Sequence, residues 1–213
     1  MENTKDELAE LRERLAFRER EFRELNHRVA NSLQMASAFL GLQLKQVADP
    51  VARELLTATS ARLSAVGKLH RHLYAHDLEG SVDLSRFLHE LCPTIADSTG
   101  LGCDIDAQPL IVRGETAQQL GVVINELALN AAKHAYQAGA TGTLKVRSRY
   151  DGHTLCLVIS DDGLGLGDDF DLHAQRGLGM SIVLAIARQL GGSLEADSPA
   201  GARFTLTVPI REG

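Results

Sequence analysis

Asn125-Glu126-Leu127-Ala128-Leu129-Asn130-Ala131-Ala132-Lys133-His134 is a run in which polar groups interrupt an apolar helix at regular steps. The surrounding segment, Glu115 to Tyr136, holds no proline and is rich in helix formers, which predicts one strong helix. Steps of three and four residues put Glu126, Asn130, Lys133 and His134 on a single face. Val, Ile, Leu and Ala flank that stripe, and polar groups so placed are costly unless they meet a ligand. Their oxygens suit Mg2+ and their cations suit phosphate. A solvated stripe is the plain alternative, and the apolar flanks weigh against it.

Downstream, the period changes to that of strands. Thr143 to Tyr150 and Thr154 to Ser160 alternate in hydrophobicity on either side of Asp151-Gly152-His153, which predicts an antiparallel pair. Asp161-Asp162-Gly163-Leu164-Gly165-Leu166-Gly167 follows at the strand end, and Arg176-Gly177-Leu178-Gly179 opens a helix from Met180 to Leu190. A carboxylate at a strand end can accept a hydrogen bond from an adenine amino group, and a glycine-rich helix start offers N–H groups to phosphate. Either run alone could be an ordinary turn, but their order after the Asn130 helix argues for one nucleotide site. Gly191-Gly192 stops the helix, and strands Ser193 to Asp197 and Ala202 to Pro209 follow. On the upstream side, Asp83 caps a helix running to about Asp97 with Pro93 as a kink, and short strands lie at Cys103 to Ala107 and Leu110 to Arg113. The expected result is a mixed sheet with helices on one face.

The N-terminal part reads differently. Asp6 to Val47 is almost free of breakers and carries apolar residues at Leu8, Leu15, Phe22, Val29 and Ala36, with Leu11, Leu25 and Phe39 as a companion seam. Asp49-Pro50 ends that helix and starts a second, with a stripe of Leu55, Leu56, Leu63, Val66, Leu69 and Leu73 leading to Tyr74. Two helices cannot enclose a core, so the hairpin predicts a homodimeric four-helix bundle. The turns before Phe22 extend it as a coiled coil, and Ala75 to Ser81 is a polar hinge. His27 falls on neither seam, at the position pointing farthest from the partner helix. Glu24 and Asn31 share its face, so the three form a small polar site. An exposed histidine on a charged helix is ordinarily just solvated, and the nucleotide-like second half is what makes it a candidate nucleophile.

Composition sets outer bounds. The 213 residues include three cysteines, Cys92, Cys103 and Cys156, whose odd number and wide spacing fit neither a disulfide framework nor a zinc site. A net charge of −6 and 4% aromatic residues argue against a broad nucleic-acid surface. No apolar run is long enough to span a bilayer and the N-terminus is not signal-like, so no membrane segment and a cytoplasmic location are expected.

With these motifs in place, the chain resembles the catalytic core of a bacterial two-component histidine kinase, in the HWE-related subfamily whose phosphoacceptor box reads His-Arg-x-x-Asn. His27-Arg28-Val29-Ala30-Asn31 matches that box, with Glu24 at the acidic position before it and Leu33-Gln34 after it. Glu126 to Lys133 matches the N box, Asp161-x-Gly163-x-Gly165 the G1 box and Gly177-x-Gly179 the G2 box of the gyrase/Hsp90-like ATPase fold. The resemblance implies an α+β chain in three parts: a coiled-coil linker over 1–21, a dimerisation and phosphotransfer hairpin over 22–75, and an α/β-sandwich ATP-binding domain over 82–213. It implies ATP and Mg2+ as cofactors, Asn130 as the metal ligand, Lys133 and His134 near the phosphates, and Asp161 on the adenine. Gly163, Gly165, Gly177, Leu178 and Gly179 complete the nucleotide site, and Glu126 joins His27, Glu24, Arg28 and Asn31 among the catalytic residues.

In that scheme His27 takes the γ-phosphoryl group and a response-regulator receiver domain then accepts it. By spacing, Glu24 could hold the imidazole Nδ1–H and leave Nε2 as nucleophile. The subfamily commonly carries lysine at the position of Ala30, which predicts one fewer cation beside His27. Gly201-Ala202-Arg203-Phe204 lacks the usual threonine hydroxyl near the base, and the segment between Gly167 and Gly177 is short for an ATP lid. Those departures keep open a phosphotransferase or regulator phosphatase with little kinase activity. An anti-sigma-type serine kinase or a dimeric scaffold on the same ATPase fold is a further alternative, against which the His27 motif speaks.

Overall fold

The computed structural model describes residues 2–44, 46–53, 55–57, 59–60, 63–64, 67, 81–137, 140–167, 169–172, 174 and 177–210. Among helical residues before position 30, most side chains, including those of Leu8, Leu11, Leu15, Phe22 and His27, lie outside that description. The chain divides into two compact units, Met1–Asp77 and Leu78–Gly213.

In the first unit, α1 (Glu2–Leu44) is a single helix, three residues shorter at its C-terminus than the pattern predicts. Residues 50–53, 55–57, 59–60, 63–64 and 67 are helical and are called α2 here. Asp49 starts α2 by accepting the Val51 N–H at 3.1 Å, while the Arg53 guanidinium donates to the Val47 carbonyl at 2.7 Å. The cap and the arginine thus satisfy backbone groups that the break in the helix leaves open. Val66, Leu69, Leu73, Tyr74 and most of the predicted hinge lie outside the described residues.

Contacts within the hairpin run along a different stripe from the predicted seams. Ala30 is 0% exposed, and Gly67 approaches Ala30 and Leu33. Farther along, Ser37 Oγ and Ser60 Oγ each donate to the other's carbonyl, at 3.1 and 3.2 Å. Small side chains therefore mark the closest approach, with Leu33, Leu40, Leu44, Leu56 and Leu63 half-buried, whereas Leu25, Val29 and Phe39, at 60%, 42% and 62% exposure, face outward with Met35 and Leu42 beside them. Ala30 is thus a packing position of the hairpin.

The second unit begins with β1 (Ser81–Asp83), which pairs antiparallel with β3 (Ile111–Arg113) in a two-stranded ribbon. Between them come α3 (Leu84–Thr99) and β2 (Gly102–Ala107). Asp83 caps α3 by accepting from Ser85 N at 2.9 Å, Pro93 sits inside the helix, and Gly100 at φ 73° closes it. Next are α4 (Gly114–His134), β4 (Thr143–Tyr150), β5 (Thr154–Ser160), α5 (Leu178–Gln189), β6 (Ser193–Asp197) and β7 (Arg203–Pro209). The main sheet has the order β2-β4-β5-β7-β6, with only β2 and β4 parallel.

The pleat gives this sheet two unlike faces. Val146, Ile159 and Phe204 lie side by side in register, as do Leu157, Leu206 and Leu194, and all are buried with Leu120, Val123, Ile124 and Leu127 of α4 and Val183 of α5. The alternate positions carry Lys145, Arg147 and Arg149 on β4, Asp104 and Asp106 on β2, and Glu195 and Asp197 on β6, all exposed. Arg149 pairs with Asp106 and Arg203 with Asp197, and each arginine holds its aspartate below the usual carboxylate range. This is the mixed sheet with helices on one face that the α+β reading predicts.

Leu157 is 0% exposed at the centre of the apolar face. Leu157→Ala should lower the unfolding free energy of this unit by about 2–5 kcal/mol, read from guanidinium unfolding followed by circular dichroism.

Candidate nucleotide-binding site

The polar face of α4 runs from the core to the surface. Glu126 is 1% exposed and Asn130 half-buried, while Lys133 and His134 in the last turn are exposed. Asn125, one residue before the stripe, is also buried at 6%. The two basic residues stand where the helix dipole is negative, which favours a cation there even without a ligand. The face can therefore offer a carboxylate and an amide near the core, and positive charge at its mouth.

Asp161 ends β5 and is 7% exposed. Its Oδ1 accepts from Gly163 N at 3.0 Å and Ala202 N at 3.2 Å, and its own N–H donates to the Ala202 carbonyl at 3.0 Å. These bonds clamp the carboxylate at the strand end in one orientation. They also show what the missing threonine leaves intact, since Ala202 holds Asp161 entirely through its backbone.

The glycines after Asp161 answer first to the protein itself. A Cβ on Gly163 would sit 2.2 Å from the Ala135 carbonyl oxygen, an impossible contact, and the next residue, Leu164, donates its N–H to that oxygen at 2.9 Å. Gly165 takes φ +82°, and a side chain there would meet Ser198 Oγ at 2.2 Å. Ser198 Oγ accepts the Leu166 N–H at 2.9 Å and donates to the Gly201 carbonyl at 3.1 Å. The loop thus brings Asp161 to the end of α4, one residue beyond His134.

Beside it, Asp162 Oδ1 accepts from the Tyr136 hydroxyl at 2.7 Å and from Thr143 N at 2.9 Å. The Thr143 N–H chiefly, and then the tyrosine, hold the Asp162 carboxyl below the usual carboxylate range, while burial and the Asp162 bond push the Tyr136 phenol up. Sequence reasoning passed over Tyr136, Asp162 and Ser198. The Tyr136–Asp162, Thr143–Asp162 and Leu166–Ser198 bonds span 19–32 residues of chain, so spacing carries no trace of them.

At the second glycine run, Gly177 is the N-cap of α5 without a side-chain cap, and Ser181 Oγ donates to its carbonyl at 3.1 Å. Leu178 is 53% exposed and Gly179 buried, and no side chain of the cap residue bonds the first N–H groups of that helix. Arg176 lies outside the described residues. The short segment before α5 is anchored by Leu172, 9% exposed, and by Phe170, whose ring meets Phe204 edge-on at 6.3 Å.

Glu24, His27, Arg28 and Asn31 stand in the first unit. Glu24 Oε1 accepts from Arg28 Nη2 at 2.7 Å, four residues along α1, and both side chains are well exposed. One oxygen of the Glu24 carboxylate is therefore engaged by Arg28, a partner that the proposed bond to His27 did not anticipate. Asn31 is exposed, and the His27 side chain lies outside the described residues.

Comparison with known proteins gives two family matches, a histidine kinase profile over residues 24–99 and a histidine kinase-, DNA gyrase B- and HSP90-like ATPase profile over residues 115–212. Sensor histidine kinase PdtaS of Mycobacterium tuberculosis is 31% identical over 88% of this chain and 39% of its own length. Blue-light-activated histidine kinase 2 of Erythrobacter litoralis is 26% identical over 91% of this chain and 58% of its own length. The chain thus spans well under two thirds of either relative. Among solved structures, the histidine kinase domain of an Erythrobacter litoralis blue-light-activated histidine kinase superposes with a TM-score of 0.63 at 25% identity, covering 92% of this chain and 94% of that one. With His27 to Asn31, the buried-to-exposed stripe of α4 and the glycine loops falling inside these matches, the chain belongs to the HWE-related histidine kinases.

Proposed function

We propose that this chain is the kinase core of a two-component signalling protein, which phosphorylates His27 from ATP–Mg2+ and passes the phosphoryl group to a receiver-domain aspartate. The observation that carries the reading is Asp161: a buried carboxylate clamped by backbone N–H groups at a strand end, beside the helix that bears Asn130, Lys133 and His134. Residues 82–213 act as the ATP-binding domain, 22–75 as the dimerisation and phosphotransfer hairpin, and 1–21 as the linker to an input. Asn130 would hold Mg2+ through its amide oxygen, Lys133 and His134 would face the phosphates, Asp161 would accept from the adenine amino group, and the N–H groups at Gly177, Leu178 and Gly179 would cradle the phosphate tail. Gly163 and Gly165 shape the loop that presents Asp161. Bound Mg2+ supplies neutralisation of the phosphate oxygens.

Phosphoryl transfer depends mainly on positioning and charge, so the remaining requirement is a neutral imidazole in line with the γ-phosphorus. The His27 nitrogen forms a bond to phosphorus as the bond to the ADP oxygen breaks, and the imidazole proton passes to solvent or a nearby base. Glu126 would serve beside Asn130 in ordering the metal's surroundings. Glu24, Arg28 and Asn31 would orient the imidazole or receive the regulator, and the Glu24–Arg28 pair favours docking for those two. ATP and a receiver domain are met in the cytoplasm, where we place the core's action.

Incubation with γ-labelled ATP and Mg2+ should give acid-labile label on the chain, absent from His27→Ala and Asn130→Ala and abolished by EDTA. Label surviving in His27→Ala would sink the assignment of the acceptor. No label, with phosphoryl transfer from a phosphorylated regulator still present, would turn the reading to a phosphotransferase or phosphatase.

The outward apolar stripe of α1 supports a homodimer, because large exposed side chains in a row are buried in a bundle formed with a second copy. Leu25→Glu with Phe39→Glu should halve the mass measured by light scattering. A wild type that is already a monomer would overturn the dimer.

A further inference from the structure

Tyr136 lies beyond the N box and Asp162 at an unspecified position of the G1 box, yet they tie together the two halves of the proposed site. Tyr136 is the second residue after α4, and Asp162 follows the Asp161 carboxylate directly. The phenol hydroxyl donates to Asp162 Oδ1 at 2.7 Å, and the same oxygen takes the Thr143 N–H at 2.9 Å where β4 begins. The tyrosine ring lies over Gly142, whose carbonyl accepts from Gly102 N at 2.8 Å at the start of β2. One carboxylate oxygen therefore gathers the end of α4, the start of β4 and the loop after β5.

Its surroundings separate this tie from core packing. Asp162 is exposed and Tyr136 only half-buried, so the bond contributes little to the core. What it fixes is the register of the loop against α4, together with the Leu164 N–H on the Ala135 carbonyl. Asp161 sits within that loop and Lys133 and His134 in the adjoining helical turn, so slack between the two segments would change the spacing between the adenine end and the phosphate end of a bound nucleotide. Holding both ends at one separation before binding lowers the ordering cost that binding would otherwise carry.

We infer that Tyr136 and Asp162 are positioning residues for adenine nucleotide, acting through the loop that presents Asp161 and not by touching the ligand. The inference rests on the nucleotide-site reading proposed above. The Asp162 carboxylate, already below its ordinary range, keeps the tie charged throughout neutral pH.

The test uses the full chain and its variants Tyr136→Phe, Asp162→Ala and Asp162→Asn, with ATP–Mg2+ binding followed by calorimetry, autophosphorylation rates measured against ATP concentration, and melting of the nucleotide-free protein. Tyr136→Phe and Asp162→Ala should weaken ATP affinity and raise KM by about 5–10-fold, the size expected for loss of a charge-assisted hydrogen bond that acts indirectly. The rate at saturating ATP should stay unchanged, and the nucleotide-free melting point should move by less than about 3 °C. Asp162→Asn keeps an acceptor for both donors and should retain most of the affinity. Wild-type affinity in both Tyr136→Phe and Asp162→Ala would overturn the positioning role, as would a loss of affinity that only tracks a matching fall in melting point. If the wild type itself binds no adenine nucleotide, the nucleotide reading fails and the positioning role falls with it.

Discussion

The second unit depends on how closely the loop after β5 is pressed against its neighbours. At Gly163 the backbone lies so near the Ala135 carbonyl that no side chain fits, and at Gly165 the chain turns through a left-handed conformation against Ser198. Asp161 can be both buried and oriented because of this pressure: its oxygen reaches the Gly163 and Ala202 N–H groups only when loop, helix end and β7 converge. The polar stripe of α4 then opens toward the same convergence. Glycine-rich loops are commonly read as places where a ligand needs room, but here several of the glycines make room for the protein first.

The hairpin solves a different problem. Its inward face uses Ala30, Ser37, Ser60 and Gly67, so α1 and α2 can approach closely and the two serine hydroxyls satisfy each other's carbonyls. Large apolar side chains fall on both faces, Leu33, Leu40, Leu44, Leu56 and Leu63 half-buried and Leu25, Val29, Met35, Phe39 and Leu42 exposed.

Much of this was legible in the sequence, for reasons that differ by element. The strands Thr143–Tyr150 and Thr154–Ser160 lie where the alternation puts them, because a strand with one apolar face and a tight turn after it has little freedom in register. The Asp83 cap marks the start of α3 through local chemistry alone, while the helix runs two residues past the expected Asp97 to its stop at Gly100. The pairing of β2 with β4 in parallel was not legible, since it joins residues some 40 positions apart and depends on the whole helical layer between them. The inward stripe of the hairpin was missed because the heptad count follows Leu25, Val29 and Phe39, which are exposed, whereas the helices meet along Ala30, Leu33 and Ser37. At the proposed site, spacing puts Glu126, Asn130, Lys133 and His134 on one helix face, but it carries no trace of the ties made by Tyr136, Asp162 and Ser198, because each joins segments that meet only after folding. Glu24 shows the limit within one helix: two partners, His27 and Arg28, lie within reach by spacing, and the side-chain geometry engages Arg28.

The uncovered face of the main sheet has a consequence for how this protein behaves in a crowded solution. Acidic β2 borders a column of basic side chains on β4, acidic β6 closes the far edge beside β7, and rows such as Asp104–Lys145 and Asp197–Arg203 run across the strands in register. A second sheet laid flat on this face would strip water from every one of these ions and replace few of their partners, at a cost of several kcal/mol for each ion left unmatched. The acidic edge strands give the same protection against strand addition from the side. The charge pattern thus acts as a colloidal guard, keeping a one-sided layer from stacking on copies of itself while its other face stays packed beneath the helices.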